Sequence, residues 1–275
     1  MDNREKMLAA LNKELAALDK KEKKLEDAAL NAKELKWKAQ LESKIPAKVY
    51  SGLESAFSKG FALVFDQGRS LIEKSYSKNT LSEDHRIRDY AVLVKGSRRE
   101  LRRMRGKARK SDLINLTVTT VEGIGLGALG IGLPDIVIFI GALLKGVYET
   151  ALNYGFAYES REEQYLILKM MEVSLSTGED WRRGNIEVDS IFRKRSEPIS
   201  EEDFSRQLEK TASAFAVDML LLKFVQSMPV VGLVAGAANP VYYNKIMQYV
   251  SLKYQKHYMI NKLYEGKELT KLSKT

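Results

Sequence analysis

The side chains able to do chemistry in this sequence are few, and their types already exclude much. Cysteine is absent and histidine occurs twice, at His85 and His257. That removes a thiolate nucleophile, an iron–sulfur cluster, a disulfide framework and a Cys-based zinc site, and it leaves too few ligands for a multi-histidine metal centre. The carboxylates in the most apolar contexts are Asp135 and Asp218, the latter within Phe215-Ala-Val-Asp218-Met-Leu. Two such groups brought together can share a proton and work as an acid–base dyad, the chemistry of a hydrolase-type enzyme. The plainer expectation places Asp135 at a helix N-terminus and pairs Asp218 with a lysine such as Lys145. Lys223 is five residues from Asp218 and off its helix face. Ser75-Tyr-Ser-Lys78 has the spacing of a serine nucleophile and its lysine base, but the companion motifs are missing. His85, beside Glu83 and Asp84, reads as part of a helix's first turn. Gly125-Leu-Gly127-Ala-Leu-Gly130 matches a dinucleotide fingerprint, with Glu149 about twenty residues on, yet Pro134 interrupts the helix that must follow and no β-α-β alternation surrounds it. These residues specify no reaction, no metal and no cofactor.

Charge is the stronger signal. The chain carries a net +9, and the 25 residues from Arg86 to Lys110 hold eleven Lys/Arg against Asp89 and Glu100. The remaining 34 basic and 34 acidic side chains cancel, so the whole excess sits in one segment. Within it, Arg98, Arg99, Arg102, Arg103, Arg105, Lys107, Arg109 and Lys110 surround a helix axis and leave only Leu101 and Met104 as apolar positions. An anionic membrane surface is the preferred partner, because each Lys/Arg near such a surface contributes about 1 kcal/mol. A solvated helix end is the plain alternative. Nucleic acid ranks below the membrane, since Arg98 to Lys110 contains no aromatic platform for bases.

The elements that must position these groups read as helices. Arg4 to Lys44 is rich in Ala, Leu, Lys and Glu, with Leu8, Leu11, Leu15, Leu18 and Leu25 along one stripe, an amphipathic extension able to meet a protein partner. Pro46 suits the start of a second helix with Val49, Leu53, Ala56, Phe57, Gly60 and Val64 on one face. Ser82 is the expected cap of the basic helix over roughly 83–110, and Asp112 of the next, although Leu113 to Val121 is strand-like. Pro134-Asp135 opens a helix ending near Tyr154-Gly155, and Ser160 with Glu163 forms a capping box. Residues 177–199 are polar enough to predict a mobile loop or short helix. Ser200 starts a helix to about Gln226. Asn239-Pro240 starts a last one ending near Gly266. One strand-like run cannot build a sheet, so the fold class is all-α: a multi-helix bundle with a long N-terminal helix. The expected division is an extension over 1–44, a helical domain over 45–266 and a polar tail over 267–275.

Two apolar segments are unusual. Gly123 to Leu144 contains Asp135 as its sole charge, and Phe224 to Val241 contains none. Each holds a central proline and small residues four apart, Gly123 with Gly127, Ala128 with Gly132, and Gly232 with Gly236, which lets another backbone approach closely. Asp135 beside Pro134 disfavours a bilayer span, by roughly 2.5–3.5 kcal/mol for the charge alone. Buried helical hairpins, shallow insertion and an apolar lipid groove remain open readings. Trp37 and Trp181, both near Lys/Arg, are candidate interfacial anchors, with core burial equally open to Trp37. The polar start from Met1 to Lys6 lacks a signal-peptide pattern, and the expected location is the cytoplasm, at the inner face of the cell membrane.

The run Gly123 to Gly132, then Leu133-Pro134-Asp135, then Tyr154-Gly155, resembles the EcsC family of bacterial proteins. So do Pro229-Val-Val-Gly232, Gly236 and Asn239 with Tyr254 beyond, and Ile45-Pro46-Ala47-Lys48-Val49 resembles the family's opening helix. The similarity covers roughly 40–265 and leaves 1–35 and 98–110 outside any family pattern. The resemblance implies a link to the cell envelope and secretion, through a namesake encoded beside an ABC transporter, and supplies no catalytic residues. The combined expectation is a non-enzymatic, peripherally membrane-associated or lipid-binding accessory of an envelope or transport process.

Overall fold

The computed structural model describes residues 3–31, 36, 46–108, 133–193, 198–226 and 240–272. Among these there is no strand, and the chain is an all-α bundle. Helix α1 spans Asn3–Ala29 and α2 spans Ala47–Leu63; a single wide π turn, Val64–Gly68, joins α2 to the short α3, Arg69–Lys74. Then follow α4 (Lys78–Lys95), α5 (Arg98–Ala108), α6 (Leu133–Asn153), α7 (Arg161–Leu175), α8 (Gly178–Arg193), α9 (Glu201–Gln226) and α10 (Pro240–Leu272).

The leucine stripe of α1 works as its spacing predicts. Leu11 and Leu18 are fully buried, and Leu8, Leu15 and Leu25 pack against the core. The surface they meet is mainly α10, with α4 and α5 beside it, so α1 is integrated into the bundle. Helix α2 enters through extended Pro46 and buries Leu53, Ala56, Phe57, Gly60 and Phe61. At Gly60 a Cβ would lie 2.9 Å from Ile140 Cδ1 and 3.0 Å from Ile136 Cγ2, so glycine sets how closely α2 crosses α6. Phe215 of α9 completes the joint, with ring centroids 5.3 Å from both Phe57 and Phe61 and 6.0 Å from Phe139, within the range where aromatic pairs attract. Helix α6 carries the stretch Ile136–Asn153, the one among the described residues long and apolar enough to cross a membrane, and 83% of it is buried inside the protein. Its main partners are α2, α4 and α10, with α3 and α5 also in contact.

Several expectations need correction. The basic segment is two helices. Ser77, not Ser82, caps the first: Ser77 Oγ accepts a hydrogen bond from the Thr80 amide. Gly96 ends that helix in the left-handed region (φ 53°), and α5 begins at Arg98. Residues 178–193 form four turns of helix where a mobile loop or short helix was expected. Trp181, Gly184, Val188 and Phe192 recur every three or four residues and are buried, while Arg182–Glu179 and Arg183–Asp180 pair one turn apart on the outside. The last helix does not stop near Gly266 to leave a tail; it runs to Leu272. Gly266 serves close packing, since a Cβ there would lie 3.0 Å from Leu8 Cδ2 of α1. Ser160 and Ser200 do cap α7 and α9, each Oγ accepting from the amide three residues on.

Candidate functional site

Helix α5 and the end of α4 carry the basic cluster, and the structure gives its arginines unequal roles. Glu14 of α1 is buried, with 1% of its side chain exposed, and its Oε1 accepts from Arg98 Nε at 2.6 Å and from Arg102 Nε at 3.1 Å. Burial acts against the Glu14 charge, but the hydrogen bonds and charges of Arg98 and Arg102 outweigh it and hold the carboxyl below its usual range. Glu100, also buried, accepts from Arg103 at 3.0 and 3.1 Å and has Lys95 at 3.9 Å. Arg99 is exposed, and Arg102 and Arg103 keep more than half of their side chains in solvent. Four cations, Lys95, Arg98, Arg102 and Arg103, thus share two carboxylates, and exposed Arg99 on the same helix is a fifth. The cluster is anchored from below and positive above. Arg105 and Lys107 belong to α5 and their side chains lie outside the described set; Arg109 and Lys110 lie outside the described residues.

The candidate carboxylates are not shown together. Asp135 lies in the first turn of α6, directly after Pro134, and neither side chain is described. Asp218 pairs with Lys245 at 3.5 Å, not with Lys145, whose partner is Glu149 at 3.8 Å. Tyr242 stands beside Asp218, its phenol pushed well up by burial first and by the Asp218 charge second. Ser75 Oγ donates to the Ile72 carbonyl at 2.6 Å, while Lys78 pairs with Glu159, so serine and lysine have separate tasks. His85 is more than first-turn decoration: its Nδ1–H donates to the Asn153 carbonyl at 3.1 Å and its ring covers Gly155, where a Cβ would strike it. Gly155 is left-handed (φ 78°), and Tyr154 is buried near Tyr258, the ring centroids 6.1 Å apart. Trp181 is 3% exposed and packs edge-on against Tyr249, which rules it out as an interfacial anchor. Trp37, Gly123, Gly127, Gly132, Pro229, Gly232, Gly236 and Asn239, with the fingerprint Gly125–Gly130 and Asp112, lie outside the described residues.

Two polar assemblies escaped the sequence. In the first, Lys253 of α10 is fully buried and donates to Glu22 of α1 at 2.6 Å and to Asp189 of α8 at 2.7 Å. His257 Nε2 donates to the same Asp189 oxygen at 2.9 Å, and Lys256 joins Glu22 and, at 3.0 Å, Asp19. Burial opposes the charges of Glu22 and Asp189, yet their cationic partners hold both below the usual carboxylate range, whereas burial drives His257 below its ordinary value despite Asp189. The second assembly surrounds Tyr158, whose ring stacks on Tyr148 with centroids 4.1 Å apart. Tyr76 donates to the Tyr158 hydroxyl at 2.7 Å and Tyr158 to Glu73 at 3.0 Å. The buried Tyr148 hydroxyl has no hydrogen-bond partner among the described residues. Both assemblies join residues far apart in the chain, and the one local signal was charge on otherwise apolar helix faces, such as Lys253 within Leu252-Lys253-Tyr254. No group of three or more His, Asp or Glu with a metal-holding arrangement occurs among the described residues.

Neither a curated protein nor a solved structure matches the chain. The profile of the EcsC protein family matches residues 10–259, reaching well into α1 and across the basic segment; it begins before the roughly 40–265 read from motifs alone and ends slightly short of it. The chain belongs to the EcsC family.

Proposed function

We propose that this EcsC-family protein is a non-enzymatic, peripheral membrane protein that binds the anionic inner face of the cell membrane and serves an envelope or transport process. The observation that carries the proposal is the imbalance at α5: five cations over two buried carboxylates, with Arg99, Arg102 and Arg103 open to solvent. Each such cation contributes about 1 kcal/mol at an anionic surface, and the contribution falls with ionic strength. The apolar helix α6 supports a peripheral mode, because its spanning-length stretch is already packed against protein.

The test is vesicle flotation of the full chain with phosphatidylcholine alone and with added phosphatidylglycerol, at low and physiological salt. The informative variant replaces Arg99, Arg105 and Lys107 by Gln and keeps Arg98, Arg102 and Arg103, which hold the buried Glu14 and Glu100. Three lost cations should weaken binding by about 3 kcal/mol, roughly a hundredfold. Flotation that needs anionic lipid, declines with salt and fails in the variant supports the proposal. A protein that stays at the bottom of every gradient overturns it.

A further inference from the structure

Helix α4 presents an apolar stripe to solvent directly beside the basic helix. Ile87 and Tyr90 are each 68% exposed, Val94 47% and Leu93 44%. At 100° per residue Ile87, Tyr90 and Val94 fall within about 60° of one another, with Leu93 on the flank. The opposite face of α4 is fixed to the bundle: Val92 is fully buried, His85 meets Asn153, and Asp89 accepts from Tyr258 at 2.7 Å and Lys262 at 2.9 Å. The stripe therefore cannot turn inward without breaking these bonds. Glu83 lies in line with it at its N-terminal end, so its apolar part is the C-terminal half, which runs into Lys95, Gly96 and the arginines of α5.

We propose that this stripe is the part of the protein that enters the membrane, with Tyr90, Leu93 and Val94 at the boundary between headgroups and acyl chains while the α5 arginines hold the headgroups. The inference rests on the membrane reading above and adds to it the docking face and its depth. An anionic bilayer is the occupant that fits both halves of the surface: apolar side chains want an apolar phase, and the adjacent excess of positive charge selects a negative one. Tyrosine suits the interface, its ring apolar and its hydroxyl wet.

The absence of cysteine makes the test clean. Tyr90→Cys, Val94→Cys and, as a distant control, Ile186→Cys on the exposed side of α8 each take one environment-sensitive fluorophore. The full chain is then titrated with phosphatidylcholine and phosphatidylglycerol vesicles, with and without a lipid-borne quencher, alongside flotation. The expected result is a blue shift and quenching at positions 90 and 94 with anionic vesicles, and no change at 186. A second variant, Tyr90→Ser with Val94→Ser, should bind at least roughly tenfold more weakly with little change in unfolding midpoint, since both side chains are largely exposed. Flotation with labels that stay in water overturns the docking face and leaves the membrane reading standing. Failure to float removes the reading and the inference together. Labels already shifted before lipid is added mean that protein covers the stripe, which overturns the proposal; dependence on protein concentration then identifies a second copy.

Discussion

Glu14 makes plain how far a residue's role depends on what it touches. In sequence it is one acid among many on a helix of alternating charges; in the fold it is a buried carboxylate shared by two arginines. Replacing Arg98 and Arg102 together by Gln should destabilise the protein by about 3 kcal/mol, because the buried Glu14 carboxylate loses both guanidinium groups. Adding Glu14→Gln to that pair should restore much of the loss, and urea unfolding of the two variants measures both. A second expectation concerns pH. His85 and His257 have folded-state values below about 6.5, driven by burial, so the unfolded chain takes up their protons first as pH falls. Their contribution is complete above pH 6.5 and is lost below it. Glu22 and Asp189 are also depressed, and their contribution is lost lower, as pH falls through and below the usual carboxylate range near 4. Unfolding midpoints against pH should therefore decline in two windows, and His85→Gln with His257→Gln should flatten the upper one. Neither pair was legible in the sequence, because each partner lies dozens to hundreds of residues from the other.

At the scale of elements, periodicity served well wherever apolar residues were dense and misled where they were sparse. The stripes of α1 and α2 were readable because each turn supplies a leucine, phenylalanine or alanine. Helix α8 read only as a mobile loop or short helix because its face rests on Trp181, Val188 and Phe192 with a glycine between, too few to outweigh the surrounding charge. The same glycine gives the reason the face suffices: a Cβ at Gly184 would collide with Val173 of α7, so the two helices meet almost backbone to side chain. The Ser77 cap was hidden by Ser82-Glu83-Asp84, a better-looking start that the helix simply runs through. Glycine punctuation is testable at Gly155, where a left-handed backbone and the His85 ring exclude a side chain. Gly155→Ala should destabilise by more than about 1 kcal/mol, read by thermal or urea unfolding, whereas the same change in an ordinary helix interior would stabilise.

For the whole molecule, the all-α class and the family were both readable, the first from the lack of a second strand and the second from glycine, proline and aromatic punctuation. What the sequence concealed was how α1 belongs. Its Glu22 neutralises the buried Lys253, its leucines cover α10, and the family match begins at residue 10. Deleting residues 1–29 should therefore abolish cooperative unfolding, checked by circular dichroism melting, because Lys253 would keep Asp189 alone and the covered face of α10 would open to water.

The shared hold of Glu14 has a genetic corollary. On the membrane reading proposed above, a screen for alleles that no longer bind anionic lipid would recover changes at residue 14 and along the helix that carries it, none of which would itself meet lipid. Their suppressors should arise at Arg98 or Arg102, as neutral replacements that relieve a mispaired interior, and not as new positive charge. Alleles of Arg99, by contrast, should be suppressed by added cations elsewhere on the same helix. Two classes of revertant would thus separate the arginines that build the surface from those that use it.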